Sequence, residues 1–433
     1  MKLALNSKDK AKESLPDPQS FSEPAVHDWY RIVWGYSDQL VHFLLNKYSL
    51  DPEEGKTVID PFCGTGTTLV ECKKAGLKSF GIDANPACVF ATRVKTNWGV
   101  DPAEIRTLSK RLVDRLKRSR DDEREIARDL SFQYLHSSGM IKRGWIDPDV
   151  AKDSIRLKMA IRRLSCDAPS KELLQLAMLS QIVNGSSNVR FGPELYCGAR
   201  RSGVDLHAGF AHRCERMASA LETCSDRRKI EAQVVLADAR EVQNGLASRP
   251  DRQFDAVICS PPYPAEHDYT RNQRLELVFL EAVTDLPSLR KIKQRMIRSN
   301  TKGIYKSDND SQLVDSFRQI RRIVNKIDGR VSEKTHGFAR LYSRVVSEYF
   351  GGMARHFSSI RRVLKPGAQC AYVLGDQSSF AGVHISTATI VGSIAETCGF
   401  RVTDIITWRG RRVSGTTREL SENILLLENR ARK

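Results

Sequence analysis

Short apolar runs bounded by glycine and proline recur along this 433-residue chain, and segments of helical period stand between them. That alternation predicts an α/β fold built on a doubly wound, mostly parallel Rossmann-like sheet. Thr57-Val58-Ile59 reads as a strand, Thr68 to Ala75 as the helix after it, and Ser79-Phe80-Gly81-Ile82 as a second strand ending at Asp83. Strand character returns at Gln233 to Ala237, Phe254 to Cys259, Cys370 to Leu374, Arg401 to Trp408 and Glu422 to Leu427. Val345 to Leu364 and Thr387 to Cys398 read as helices, the first terminated by Lys365-Pro366-Gly367. Upstream, residues 1–24 read as a polar arm and His27 to Tyr48 as an apolar, aromatic-rich helix.

Two stretches break the strand pattern. Residues 101–229 read as a helical insertion, and residues 286–343 as a basic one, so the sheet is assembled from 25–100, 230–285 and 344–433. The basic stretch alters the functional picture: Ser288 to Arg340 carries 14 Lys and Arg against five Asp and Glu, a local +9 within a chain of net charge +17. An excess of that size attracts a polyanion, although a solvated helical face is the bland reading of any charge run.

Composition narrows the class. No apolar stretch approaches the roughly 20 residues of a membrane helix, and Met1 to Ser20 lacks the apolar centre of a secretory leader, so a cytoplasmic protein with no membrane partner is expected. The ten cysteines stand singly without a Cys-x-x-Cys pair, which predicts reduced thiols and no metal site.

Candidate chemistry lies in two strings. Asp60-Pro61-Phe62-Cys63-Gly64-Thr65-Gly66-Thr67-Thr68 stands between a strand and a helix, where glycines allow a tight turn and close backbone approach to a ligand. Asp83, 17 residues after Gly66, stands where a carboxylate can accept ribose hydroxyls. No Lys follows Gly66, as a phosphate-binding loop requires, and Leu69 stands where dinucleotide loops want a third glycine; S-adenosylmethionine, which carries no phosphate, fits better. The second string, Ser260-Pro261-Pro262-Tyr263, follows the strand Phe254 to Cys259. Its prolines remove two amide donors, leaving carbonyls and a hydroxyl to accept the N–H groups of an exocyclic amine, with Tyr263 placed to stack on a base turned out of the duplex. An ordinary strand-to-helix turn, with Asp83 capping Asn85-Pro86, and a structural Pro-Pro-Tyr turn are the bland alternatives; the joint occurrence outweighs both.

Together the two strings resemble the Phe-x-Gly-x-Gly cofactor motif and the catalytic motif of the amino-group DNA methyltransferases, the cytosine-N4 and adenine-N6 enzymes. The similarity extends to Gly81 to Pro86, the strand end at Asp238 and Leu364 to Gly367, covering most of the sheet but neither insertion. The resemblance implies an S-adenosylmethionine-dependent, base-flipping enzyme acting on double-stranded DNA, alongside a cognate restriction endonuclease in a restriction-modification system. It implies that Phe62 and Cys63 touch the cofactor, the Gly64 to Thr68 backbone holds its methionine end, Asp83, Ala84 and Asn85 its ribose, and Asp238 or Ala239 its adenine. Asp60 would cap the loop or meet the amino group. Family catalytic motifs tend to begin with Ser in cytosine-N4 enzymes and with Asp or Asn in adenine-N6 enzymes, so Ser260 favours cytosine N4, with adenine N6 as the alternative. The cofactor motif comes first, unlike the permuted subgroup, and a C5-cytosine enzyme is excluded because Cys259 precedes the prolines rather than following them. An RNA or protein-amide methyltransferase and a nonenzymatic nucleic-acid-binding relative remain as other readings.

Further residues have candidate roles. Arg271, within His267 to Arg271, is expected on a DNA phosphate, with a helix start capped by Asp268 as the alternative; Arg298, Asn300 and Lys302 are expected DNA contacts from the basic insertion. His27 to Tyr30 lines the cofactor pocket or packs as core aromatics, and Ser187-Asn188-Val189-Arg190 carries no assigned chemistry.

Overall fold

The computed structural model describes residues 15, 26–30, 35–118, 123–191, 195–247, 253–332, 337–412 and 419–431. Except for Leu15, the expected polar arm lies outside them. The strands are β1 (Thr57–Asp60), β2 (Lys78–Asp83), β3 (Val189–Phe191), β4 (Leu195–Cys197), β5 (Ala232–Leu236), β6 (Phe254–Cys259), β7 (Leu364–Gly375), β8 (Phe400–Arg412) and β9 (Glu419–Asn429). Seven of them form one sheet in the order β5-β2-β1-β6-β7-β9-β8. Pairing is parallel from β5 through β7, and β9 runs antiparallel to both β7 and β8. The doubly wound, mostly parallel α/β expectation therefore holds, and β6 is apolar and buried without a break from Ala256 to Cys259, as a central parallel strand covered on both faces must be.

The helices Thr67–Lys74, Tyr342–Ile360 and Thr387–Thr397 sit where the pattern placed them, to within a few residues, and a further helix, Pro86–Thr96, follows β2. One expected boundary needs correction. The helix after the basic insertion ends at Ile360, and Lys365-Pro366-Gly367 lies inside β7. A 3-10 turn at Arg361–Val363 stops the helix, and Gly367, at φ +78°, takes up the register shift between Leu364 and Gln369 opposite β6. Upstream, the expected helix His27 to Tyr48 is a 3-10 turn at His27–Trp29 and a helix at Asp38–Lys47 that Ser37 caps, while residues 31–34 fall outside the described set.

That upstream segment is anchored to the helix behind the glycine loop. His27 Nε2 lies 2.6 Å from Glu71 Oε1 and His42 Nε2 lies 2.5 Å from Glu71 Oε2, with Lys74 Nζ 3.0 Å from Glu71 Oε1. Burial alone would raise the Glu71 carboxyl, but these partners hold it well below the usual carboxylate range. The chain from Pro102–Arg118 to Leu206–Thr223 is mainly helical, its apolar residues sharing one core with Ala87 to Val100 and Leu275 to Ile292, and the β3–β4 pair lies within it. The basic insertion contributes helices Leu286–Gln294 and Arg318–Val331; the latter buries Ile320, Ile327 and Val331 and exposes Arg318, Arg321, Arg322, Lys326 and Arg330. Among the described residues no helix is long and apolar enough to cross a membrane.

Candidate active site

The glycine loop is shaped by two carboxylates. Asp60, at the end of β1 and 1% exposed, accepts the Phe62 N–H at 2.9 Å and the Thr68 hydroxyl at 2.7 Å, so it ties the loop to the first turn of the next helix. Asp83, at the end of β2, accepts the Gly64 N–H on one oxygen at 2.9 Å and the Asn85 N–H on the other at 2.8 Å. Gly66 stands at φ +83°, and a Cβ there would lie 2.8 Å from Thr92 Cγ2, whose hydroxyl donates to the Gly64 carbonyl at 2.8 Å. Behind Phe62 stands His356, ring centroids 4.9 Å apart. Its Nδ1–H donates to the Ala239 carbonyl at 2.7 Å and its Nε2 accepts the Tyr372 hydroxyl at 2.8 Å. Burial lowers this imidazole to about 4, so it is a neutral buttress at physiological pH.

The Ser260 to Tyr263 turn leaves β6 opposite this loop. The Tyr263 N–H donates to the Tyr269 hydroxyl at 3.0 Å, and its own hydroxyl donates to Glu422 Oε1 at 2.7 Å. Ser260 Oγ lies 3.4 Å from the Tyr263 hydroxyl and 3.5 Å from the Val373 carbonyl. A Cβ on Gly375 would stand 2.8 Å from the Tyr263 ring, so the glycine at the end of β7 lets that ring lie against the backbone. Burial and the Glu422 charge raise the Tyr263 hydroxyl well above its usual value and keep it protonated.

Loop and turn open on one cavity of about 280 Å³. Phe62, Cys63, Gly64, Thr65, Thr67, Asp83, Ala84, Asn85 and Ala239 line it together with Ser260, Pro261, Pro262 and Tyr263. Asp60, Gly66 and Thr68 stand behind the lining and shape the loop. The Asp238 carboxylate is engaged by Arg240, whose guanidinium approaches to 2.6 Å, which leaves Ala239 as the member of that pair on the cavity. Burial pushes the Asp83 carboxyl up to about 6 and the Asp60 carboxyl up to about 7.

Two of the expected DNA contacts are corrected. Arg298 is 4% exposed, its guanidinium bound to Asp308 at 2.7 Å and to the Lys293 carbonyl at 3.0 Å. Asn300 is buried and donates to the His267 carbonyl at 2.9 Å. Asn300 holds the basic insertion against the segment after Tyr263, while Arg298 ties the insertion to itself; a count of charges cannot tell such a buried arginine from a surface one. Lys302 is exposed, and Arg271 is half-buried in a short helix whose first turn Asp268 caps.

Several cavity residues, apart from Tyr30, which the sequence offered as pocket lining or core, were not legible as site residues. Tyr30 and Tyr36 enter from the upstream segment, while Trp29 packs in the core. Phe191 enters from β3, Gln273 and Glu276 from the segment after the turn, and Arg409 and Glu422 from β8 and β9. The Tyr30 hydroxyl donates to Glu276, and burial raises that carboxyl to about 7. They come from separate stretches of the chain and share no motif, so no sequence signal groups them.

With this geometry in place, similarity to known proteins becomes informative. A family model described as DNA methylase matches residues 36–92, from Tyr36 through the glycine loop and Asp83 to Thr92. Type II methyltransferase M.BsoBI of Geobacillus stearothermophilus is 24% identical over 91% of this chain and 82% of its own length. Type II methyltransferase M.AvaI of Nostoc sp. is 23% identical over 87% of this chain and 80% of its own. Type II methyltransferase M.MjaII of Methanocaldococcus jannaschii is 32% identical over 24% of this chain and 18% of its own. The M.BsoBI and M.AvaI alignments span both insertions as well as the sheet, and together with the family model they support a place for the chain among the amino-group DNA methyltransferases.

Proposed function

We propose that this protein transfers the methyl group of S-adenosylmethionine to the exocyclic N4 amino group of a cytosine in double-stranded DNA. The observation that carries the reading is the shared cavity: the glycine loop with Asp83 and the Ser260 to Tyr263 turn open on the same space. S-adenosylmethionine, when bound, supplies an electrophilic sulfonium methyl. The residues fit it. Each Asp83 oxygen holds one backbone N–H and keeps a further lone pair for a ribose hydroxyl. Phe62 and Ala239 offer an apolar wall for an adenine, and the loop from Asp60 to Thr68 carries no cation for a phosphate.

At the turn, Ser260 Oγ and the Pro261 carbonyl accept the N–H bonds of the target amine, which localises its lone pair on nitrogen and aims it at the methyl. Tyr263, its hydroxyl held by Glu422, offers its ring to the flipped base. Arg271 and Lys302 and the exposed basic face of Arg318–Val331 suit backbone phosphates. The relatives' names as Type II methyltransferases support a role as the modifying partner of a restriction endonuclease. Incubation with labelled S-adenosylmethionine and unmethylated genomic DNA, then nucleoside mass analysis, is expected to yield N4-methylcytosine. N6-methyladenine would overturn the choice of base, and label confined to RNA or protein would overturn the DNA substrate.

Cofactor binding should depend on pH through Asp83. In the free protein burial raises its carboxyl to about 6; ribose hydroxyls favour the carboxylate, so binding lowers that value and releases a proton. Affinity is therefore full above pH 6 and weakens below it, by at most about tenfold per pH unit for a single proton. Asp60 and Glu276, both raised to about 7, titrate close by, so Asp83→Asn is the control. Calorimetry from pH 5 to 8 in buffers of different ionisation enthalpy would measure this, and a flat profile without proton release would rule it out.

A further inference from the structure

The strand pair at the far edge of the cavity carries an ion pair whose arginine the proposed chemistry leaves unused. Arg409 on β8 stands directly opposite Glu422 on β9, and its Nε donates to Glu422 Oε2. The register slips by one residue between Thr407 and Arg409, so Trp408 is an inserted residue, a bulge of the kind that re-aims the next side chain. Arg409 Cζ lies 5.3 Å from the centre of the Trp408 ring, and both Arg409 and Glu422 line the cavity. The other Glu422 oxygen accepts the Tyr263 hydroxyl at 2.7 Å, and that hydroxyl lies 3.4 Å from Ser260 Oγ. A continuous polar line thus runs from Ser260 through Tyr263 and Glu422 to Arg409.

We propose that Arg409 is the residue that selects the target base, donating to the O2 of a cytosine whose N4 is held at Ser260 and Pro261, while Glu422 is the positioning residue that orients both Arg409 and Tyr263. The proposal rests on the cytosine-N4 reading above and names how that site chooses its substrate. Along its Watson–Crick edge cytosine presents a donor at N4 and acceptors at N3 and O2. Adenine presents a donor at N6, an acceptor at N1 and then the C2–H, which accepts nothing. A guanidinium opposite that third position is satisfied by cytosine and left unpaired by adenine, and a site built for a hydrogen bond rejects the analogue that lacks it far better than a site built on shape alone. The Glu422 carboxylate, both oxygens occupied, keeps the guanidinium from turning toward solvent and keeps the Tyr263 ring in place.

The test compares wild type, Arg409→Ala, Arg409→Lys and Glu422→Gln on unmethylated genomic DNA, with N4-methylcytosine and N6-methyladenine both quantified by mass and S-adenosylmethionine affinity measured by calorimetry. For Arg409→Ala the ratio of N4-methylcytosine to N6-methyladenine is expected to fall by about tenfold to a hundredfold, with cofactor affinity changed less than about twofold. Arg409→Lys, which keeps the charge and loses the planar fork, should fall between. Glu422→Gln should lower kcat more than it raises KM for DNA. An unchanged product ratio in both arginine variants overturns the proposal, as does parallel loss of both products and of cofactor binding, the mark of a merely structural pair. If wild type makes N6-methyladenine alone, the cytosine reading fails and this inference with it; if wild type makes N4-methylcytosine and the variants keep its ratio, only the inference fails.

Discussion

Tyr263→Ala is expected to lower kcat for methyl transfer to DNA by about tenfold to a hundredfold while leaving S-adenosylmethionine affinity within about twofold. A base stacked on an aromatic ring gains roughly 1 to 3 kcal/mol, which sets that range. Here the ring is held on three sides: the Tyr269 hydroxyl takes the backbone N–H, Glu422 takes the phenol, and Gly375 leaves room for the ring against β7. Tyr263→Phe separates two roles. It keeps the stacking face and loses the hydroxyl's contacts with Glu422 and Ser260, so its loss should be smaller than that of the alanine variant. Single-turnover kinetics with saturating cofactor would measure both, and an alanine variant that transfers at the wild-type rate would remove Tyr263 from the mechanism.

The second large effect is expected at Asp83. Asp83→Ala should weaken S-adenosylmethionine binding by about a hundredfold or more, because it removes the acceptor for the ribose hydroxyls and leaves the Gly64 and Asn85 N–H groups without their partner. Each buried donor left unsatisfied costs about 1 to 3 kcal/mol. The damage is twofold, since Gly64 belongs to the loop that would hold the methionine end and Asn85 caps the helix Pro86–Thr96 through its side chain. Asp83→Asn retains an acceptor oxygen and should lose less. Equilibrium binding by calorimetry, with circular dichroism to check the fold, decides the matter; unchanged affinity in Asp83→Ala would take the ribose role away from this residue.

What was legible in the sequence follows from where the physics is local. A parallel strand buried on both faces must be apolar where it is buried, so Ala256 to Cys259 reads directly as the centre of β6. A tight turn at positive φ requires glycine, so the loop around Gly64 and Gly66 announces itself. Asp83 is legible for a related reason: an acid at the end of the strand after such a loop is within reach of its backbone. The last helix boundary before β7 was misplaced because Lys365-Pro366-Gly367, a strong stop signal, serves here as an irregularity at a strand's start.

By itself the sequence determined the sheet, the order of the two motifs, the glycine loop with Asp83 and the turn from Ser260 to Tyr263, because each rests on neighbouring residues obeying short-range rules. Only the tertiary structure decided which distant side chains complete the cavity. Glu422, itself held by Arg409, reaches Tyr263 from a strand more than a hundred residues downstream. Tyr30 and Glu276, 246 positions apart, meet in its wall. Burial likewise divided the basic insertion, leaving Lys302 on the surface and folding Arg298 onto Asp308. Charge is a property of the residue, but whether that charge meets solvent, a phosphate or a buried carboxylate depends on what the fold brings beside it.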